Sequence, residues 1–409
     1  MSKIQLPFPY PEHLAIMVPE MFVAVMAMAI LLWSLFIPKE RVYITAWMAI
    51  ATCASAIPLL LSQASAIGMT TFYGFFILDP FAVYSKLLLL LGTLVAMVLS
   101  LTYMRREHNV GEYYVMMLFA LLGTMFMVSA TNFVMMYLGV ELMALSVYVL
   151  VAYQRDMLRS SEAALKYFIL GSLSSGMMLY GMSFIYGITG LFDFQAIGIA
   201  LQGVGSDGRF AMQVGMLFII AGLAFKLSIA PFHMWTPDAY EGAPTPVTAF
   251  MSVVPKVAGF ALFIRFLIEA MPVLQHDYVN VLIALALLTM AVGNIAAIAQ
   301  RNIKRMLAYS TIGHVGFVLL GLIAANADGY AGTLTYMTIY LFMTMGAFTI
   351  IIMMRDQGVE GELIDDYAGM AKSRPGYAFA MTVMMFSLAG IPFLGGFWAK
   401  YAVFIAVVE

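Results

Sequence analysis

Cysteine occurs once in the 409 residues, at Cys53, and histidine five times. One thiol cannot hold an iron–sulfur cluster, and the histidines offer no paired positions for a bis-histidine haem, so no cofactor or metal is expected on this chain. Charge is equally scarce: 10% of residues are Asp, Glu, Lys or Arg, against about 25% in an ordinary soluble domain. The net charge is -2, which leaves no polycationic face for nucleic acid. No nucleophile–base pair, metal-ligand cluster or nucleotide-binding loop occurs, so no catalytic residues are expected either.

Apolar sequence is abundant instead. The chain is 63% hydrophobic, and a polytopic, all-α membrane protein is the fold class this implies. Runs of about 20 apolar residues, enough to cross roughly 30 Å of hydrocarbon, recur twelve times. They lie near 13–37, 43–67, 81–104, 112–130, 133–153, 160–189, 210–240, 246–270, 277–299, 305–325, 330–354 and 376–408. The opening "MSKIQLPFPYPEHLA" has one lysine and three prolines before the first run and does not read as a cleaved signal peptide. The 36 methionines suit the bundle core and lipid face, because a thioether adapts to irregular packing.

The basic residues orient the bundle. Odd-numbered connections carry Lys39, Arg41, Arg105, Arg106, Arg155, Arg159, Arg301, Lys304, Arg305, Arg355, Lys372 and Arg374, whereas the even-numbered ones carry Arg209, with Arg265 near the end of segment eight. By the positive-inside rule the odd loops are cytoplasmic, and the N-terminus with Lys3 is outside. Five lysines remain within apolar segments: Lys86, Lys166, Lys226, Lys256 and Lys400.

An ionisable group at bilayer depth costs about 2.5–3.5 kcal/mol on insertion scales, so it usually faces a hydrated interior and serves transport. Lys256 lies about 15 Å into segment eight, Glu141 about 12 Å into segment five, and His314 about 13 Å past Arg305, by helix rise. Lys166 is shallower, about 9 Å beyond Ser160. Lys86, seven residues after Asp79, reads as an interfacial anchor or half of a local ion pair and is left out of the pathway. Glu141 reads as the one carboxylate well inside a helix. For His314 a hydrogen-bonded core histidine competes evenly with a relay role.

Segments seven and twelve are too long for simple spans, and each breaks near its middle. The breaks are "KLSIAPFHMW", with Pro231, and "SLAGIPFLGGFWAKY", with Pro392 flanked by Gly390 and Gly395. Unwound backbone at membrane depth must be buried in protein or line a wet cavity. Lys226 lies five residues before one proline and Lys400 eight after the other. A lysine at each of two discontinuous helices, five positions apart in helix order, fits an inverted-repeat transporter.

The chemistry that follows is proton movement. A buried lysine can be switched between charged and neutral by burial, neighbouring cations and a nearby carboxylate. A changing Glu141–Lys166 contact would alter Lys226, and protons would pass through waters toward Lys256 and His314. Counted from their shared loop, Glu141 is about 18 Å deep and Lys166 about 9 Å, so that pair calls for a bridging water. Asp238 and Glu241, after the first break, are candidates for proton uptake or for helix capping. Residues 355–375 read as a solvated connection or a docking surface. Residues 190–209 read as an outward loop with a short interfacial helix.

Two stretches, "LGVELMALSVYVLVAYQRDMLRSSEAALKYFILGSLSSGMMLYG" and "KLSIAPFHMWTPDAYEGAPTPVTAFMSVVPKVAGF", resemble the antiporter-like membrane subunits of respiratory complex I. The resemblance runs over roughly residues 80 to 409. It implies that Glu141, Lys166, Lys226, Lys256, His314 and Lys400 form a proton path along a hydrated axis. It also implies inverted five-helix repeats with discontinuous helices 7 and 12: an N-terminal three-helix segment at 1–111, a first repeat at 112–270 and a second at 271–409. Family members usually continue through two further helices, so the second repeat is expected to be incomplete here. NADH, FMN, iron–sulfur clusters and quinone would belong to partner subunits, and this chain would sit in a bacterial-type inner membrane among the other membrane subunits. A Mrp-type cation/proton antiporter or membrane hydrogenase subunit shares these motifs. A non-conducting scaffold is the reading from a different class.

Overall fold

The computed structural model describes residues 14–37, 43–104, 110–355 and 361–409. Lys3, Lys39, Arg41, Arg105 and Arg106, which enter the orientation argument, lie outside the described residues. Six helices come first: α1 (Val18–Ser34), α2 (Tyr43–Leu61), α3 (Pro80–Tyr103), α4 (Val110–Ser129), α5 (Phe133–Val151) and α6 (Leu158–Thr189). A small antiparallel hairpin, β1 (Met69–Thr71) and β2 (Phe76–Leu78), joins α2 to α3. After a short helix at Phe194–Ala200 come α7 (Ser206–Leu227), α8 (Trp235–Gly242), α9 (Thr245–Arg265), α10 (Gln275–Ile298), α11 (Ile303–Ala324) and α12 (Ala327–Met353). The last two are α13 (Pro375–Ala389) and α14 (Gly395–Val408).

Among the described residues eleven helices are long and apolar enough to cross a membrane. The twelfth expected segment is the broken pair α13 and α14, each shorter than a span. Segment seven ends its crossing at Leu227, and the rest of its apolar run is the loop and the separate helix α8. Asn132, Asn302, Asn326 and Asp79 start α5, α11, α12 and α3 by accepting from backbone amides of the first turn.

Helix α9 is the centre of the bundle. Every residue from Thr245 to Arg265 is buried, as expected of a helix that is apolar all round, and it packs against α3, α4, α7 and α12. Lys256 is therefore inside protein and not against lipid. Helices approach closely where side chains vanish. A methyl on Gly123 of α4 would overlap the Met143 amide of α5, and one on Gly181 of α6 would meet the backbone of α7 at Gly215 and Ile219. Small residues permit the close contacts that replace hydrophobic drive between helices in lipid.

Two breaks and the residues around them

Both breaks use one device. Helix α7 stops where Ser228 takes a left-handed conformation (φ 65°), and the Ile229 amide returns to the Ala224 carbonyl at 2.8 Å. Helix α13 stops the same way at Gly390 (φ 87°), with the Ile391 amide on the Phe386 carbonyl at 3.1 Å. These are Schellman caps. Pro231 and Pro392 follow three and two residues later and prevent the helix from resuming at once.

The freed backbone finds partners within the protein. The Ala230 amide donates to Thr289 Oγ1 of α10 at 3.0 Å, and the Gly396 amide donates to Ser387 Oγ at 3.1 Å. The carbonyl ends are met by lysines. Lys256 Nζ donates to the Lys226 carbonyl at 3.3 Å and to Ser228 Oγ, and Lys400 Nζ donates to the Ala389 carbonyl at 2.9 Å. An ammonium is favoured there because unpaired carbonyls make a helix C-terminus negative. Gly390 serves twice: it accepts the left-handed backbone, and a methyl there would lie 3.0 Å from Lys400 Nζ. Gly395 opens α14, but the tighter constraint is Gly396, where a methyl would overlap the Ser387 carbonyl.

Lys226, in the last turn of α7, turns the other way. Its buried ammonium lies 4.0 Å from Glu141 Oε1, donates to Tyr148 Oη at 3.4 Å and sits 5.7 Å above the Tyr148 ring. Glu141 also accepts from Ser175 Oγ of α6. Lys166 takes no part in this pair. It is 48% exposed and bonds Glu162 at 2.7 Å and Asp238 at 3.0 Å. The cause is depth: Ser175, which meets Glu141, lies nine residues beyond Lys166 on α6, about 13 Å along the axis.

Asp238 and Glu241 of α8 are bound into a charged network. Arg305 donates to both at 2.7 Å, and Arg159 joins Glu241 to Glu362, the latter at 2.7 Å. Burial would raise the Asp238 carboxyl, but hydrogen bonds from Lys166 and Arg305 outweigh it and hold it below the usual carboxylate range. Glu362 belongs to the segment read as a solvated connection, yet its backbone carbonyl accepts from the Ile303 amide at 2.8 Å and its side chain meets Lys304 at 3.4 Å. A cavity of about 520 Å³ beside it is lined by Arg159, Glu241, Lys304, Arg355 and Glu362.

In the second half, His314 of α11 pairs its Nδ1 with Tyr336 Oη at 2.7 Å. Tyr340 Oη donates to Thr311 Oγ1 at 2.8 Å, in the turn before His314. His314 and Lys400 share a cavity of about 310 Å³, whose lining includes Asn294, Ser310 and Phe317. At about 30 Å³ per molecule of liquid water, that is room for several waters. The structure thus gathers Glu141, Lys226 and Lys256 at the first break, His314 and Lys400 at the second, and Lys166 with Asp238 and Glu241 in the charged network. Among the described residues no group of His, Cys, Asp and Glu has the arrangement of a metal site.

A sequence profile described as NADH:quinone oxidoreductase/Mrp antiporter, TM, matches residues 130–409. The chain belongs to this family. It is 46% identical over 390 residues to NADH-quinone oxidoreductase subunit N of Magnetococcus marinus, covering 95% of this chain and 80% of that one. The same-named subunit of Thioalkalivibrio sulfidiphilus is 46% identical over 403 residues, covering 98% and 84%. A chain of respiratory complex I from Thermus thermophilus with bound aureothin matches with a TM-score of 0.80 at 32% identity, over 95% of this chain and 82% of that one. A chain of the Mrp complex from Dietzia sp. DQ12-45-1b shares the fold, with a TM-score of 0.81 at 21% identity over 97% and 74%. The all-α architecture with discontinuous seventh and twelfth helices is thus that of the NADH:quinone oxidoreductase/Mrp antiporter family.

The charged residues at the start of α1 and α3 and at the end of α9 depart from the sequence reading or add to it. Lys86 is neither an interfacial anchor nor paired with Asp79. It is fully buried, 2.7 Å from Glu20 of α1. Glu20, 1% exposed in the first turn of α1, is thus a second buried carboxylate within a spanning helix, although Glu141 lies deeper in its own. Asp79 caps α3 and binds Arg265 at 2.9 Å, and Arg265, at the end of α9, is buried and also holds Glu269 at 2.9 Å. The clue to Glu20 is a carboxylate seven residues into the apolar run at 13–37, but nothing local in sequence links it to Lys86.

Proposed function

We propose that this chain is the proton-translocating membrane subunit of an NADH:quinone oxidoreductase, driven by electron transfer on partner subunits. NADH, FMN, iron–sulfur clusters and quinone would reside on those partners. The observation that carries the reading is the pair of buried lysines at the first break. Lys226 faces Glu141, while Lys256, on another helix, bonds the carbonyl of Lys226. Their charges repel, and Glu141 offsets one of them. When Glu141 is neutralised or drawn away, Lys226 loses its counter-charge and hands a proton through water toward Lys256. From there Thr311, Tyr340 and His314 line the way to Lys400 beside the second break. Glu141 is 22% exposed on this chain, whereas both lysines are buried.

Lys166, Asp238 and Glu241 serve uptake, with their ion pairs to Arg159 and Arg305 acting as a gate. The chain has an N-terminal three-helix segment at 1–111 and inverted repeats at 112–270 and 271–409. It lies in a bacterial inner membrane, N-terminus outside and odd loops cytoplasmic, as the basic residues of the odd connections favour.

The Mrp-type reading is separated by the ion. In vesicles bearing the assembled complex, NADH-driven acidification followed with a pH-sensitive dye is expected to proceed at the same rate in sodium-free medium. A requirement for sodium would favour the cation/proton antiporter instead.

A further inference from the structure

The Glu20–Lys86 pair has no part in the path above, and it is a poor structural anchor. Both side chains are essentially inaccessible, at 1% and 0%, and Lys86 Nζ stands 2.7 Å from Glu20 Oε1 and 4.5 Å from the centre of the Phe76 ring. Beyond that 2.7 Å contact with each other, neither the carboxylate nor the ammonium has a hydrogen-bond partner among the described residues. An ammonium has three donors and a carboxylate several acceptor sites, and buried groups left this way call for water or a chemical role. Gln63, held at the start of α1, repeats the pattern. Its amide nitrogen donates to the Ala15 carbonyl at 2.5 Å, one turn before α1 reaches Glu20, and its buried oxygen has no partner among the described residues.

Depth relates the pair to the central axis. Gly92 of α3 lies against Val254 of α9, where a methyl would stand 2.9 Å from the valine. The two helices are antiparallel, because Asp79, before α3, meets Arg265 at the end of α9. Counting from the Gly92–Val254 level by helix rise, Lys256 is displaced by about 3 Å, Lys86 by about 9 Å and Arg265 by about 16 Å toward the same membrane face. Lys86 thus lies in depth between the central lysine and the Asp79–Arg265–Glu269 cluster. At that cluster α9 passes into a π-turn, Phe266–Ala270, a distortion frequent at functional sites.

We propose that Glu20 and Lys86 form a proton-transfer pair, a branch of the central axis leading to the membrane face where α1 and α3 begin. The proposal rests on the proton-translocating reading. Lys86, as ammonium, gives a proton to the Glu20 carboxylate, leaving a neutral amine and a carboxylic acid. Glu20 then releases that proton to water at the start of α1, and the amine regains one from water on the side of the axis. Arg265, pinned by Asp79 and Glu269, is a fixed positive charge beside the branch.

The test uses the assembled complex in sealed vesicles. In E20M/K86M, apolar groups of similar size replace the whole pair, an exchange that is often neutral or stabilising, so assembly is expected to persist. NADH-driven proton translocation should fall several-fold, and in E20Q a carboxyl band should vanish from the infrared difference spectrum between oxidised and NADH-reduced complex. Wild-type translocation in E20M/K86M would overturn the proposal. Should that variant fail to assemble, an E20Q infrared spectrum identical to the wild type overturns it instead. Lys256→Arg in the same preparation separates the two levels. If it abolishes translocation while E20M/K86M pumps normally, the branch alone fails; if it pumps normally, the central pathway fails.

Discussion

Replacing Lys256 by arginine should abolish proton translocation while leaving the complex assembled. Arginine keeps the positive charge and can still donate to the Lys226 carbonyl and to Ser228, the partners the lysine holds, but its guanidinium does not release a proton in proteins. The expected loss in NADH-driven translocation is about 10²-fold, the lower end of what a positioned proton-transfer group contributes. Lys256→Ala should lose translocation equally, and it also takes the lysine donor from the buried Lys226 carbonyl, which costs about 1–3 kcal/mol, while Ser228 keeps its bond from Thr236. The two variants divide charge from proton exchange. In a scaffold whose charges only fix helix packing, arginine would preserve the ratio of protons to electrons.

Glu141→Ala is the second large effect, and it acts on stability as well as on transport. The Lys226 ammonium is buried, with Glu141 as its ion-pair partner at 4.0 Å. Removing one member of a fully buried pair costs about 3–5 kcal/mol because the other is left uncompensated, and with Glu141 22% exposed the loss should fall at or below the lower end, about 3 kcal/mol. The amount of assembled complex, read on a native gel, should fall in Glu141→Ala and recover in Glu141→Asp, which restores the counter-charge. Glu141→Gln should assemble better than Glu141→Ala, because an amide can still accept from Ser175, yet it should not pump. Normal pumping in Glu141→Gln would remove the switch from the mechanism.

Much of this arrangement was legible before any coordinates. The twelve apolar runs are strong signals because a crossing helix must be long and almost uncharged: eleven reappear as spanning helices, the seventh ending early at Leu227, and the twelfth as the broken pair α13 and α14. The breaks were legible from their prolines and glycines. The left-handed Ser228 was not, since serine rarely takes that conformation and only the surrounding contacts with Lys256 and Thr236 select it. Side-chain pairing was the least legible level. The sequence pairs Glu141 with Lys166 as neighbouring charges on consecutive helices, but depth on α6 brings Ser175 to Glu141 and leaves Lys166 to Asp238, 72 positions away in sequence. Glu20 and Lys86 are 66 residues apart on separate helices, and no periodicity within either helix encodes their meeting.

The same distinction explains why lysines persist where hydrocarbon surrounds the bundle. Lys256 rests on a helix that faces protein along its whole length, against the carbonyl end of a broken neighbour. Lys400 repeats that contact at Ala389, beside a cavity of about 310 Å³ that also reaches His314. The broken helices and the lysines therefore answer each other: each break exposes carbonyls that an ammonium can satisfy, and each ammonium gains a site that lipid could not offer.

The central claim is that these lysines are wetted and exchange protons. The most direct measurement is a high-resolution structure of the assembled complex that locates ordered water around Glu141, Lys226, Lys256, His314 and Lys400. The account predicts a hydrogen-bonded file of water joining these side chains from the first break to the second. Tight apolar packing between them, with no water within hydrogen-bonding distance of Lys256, would contradict it.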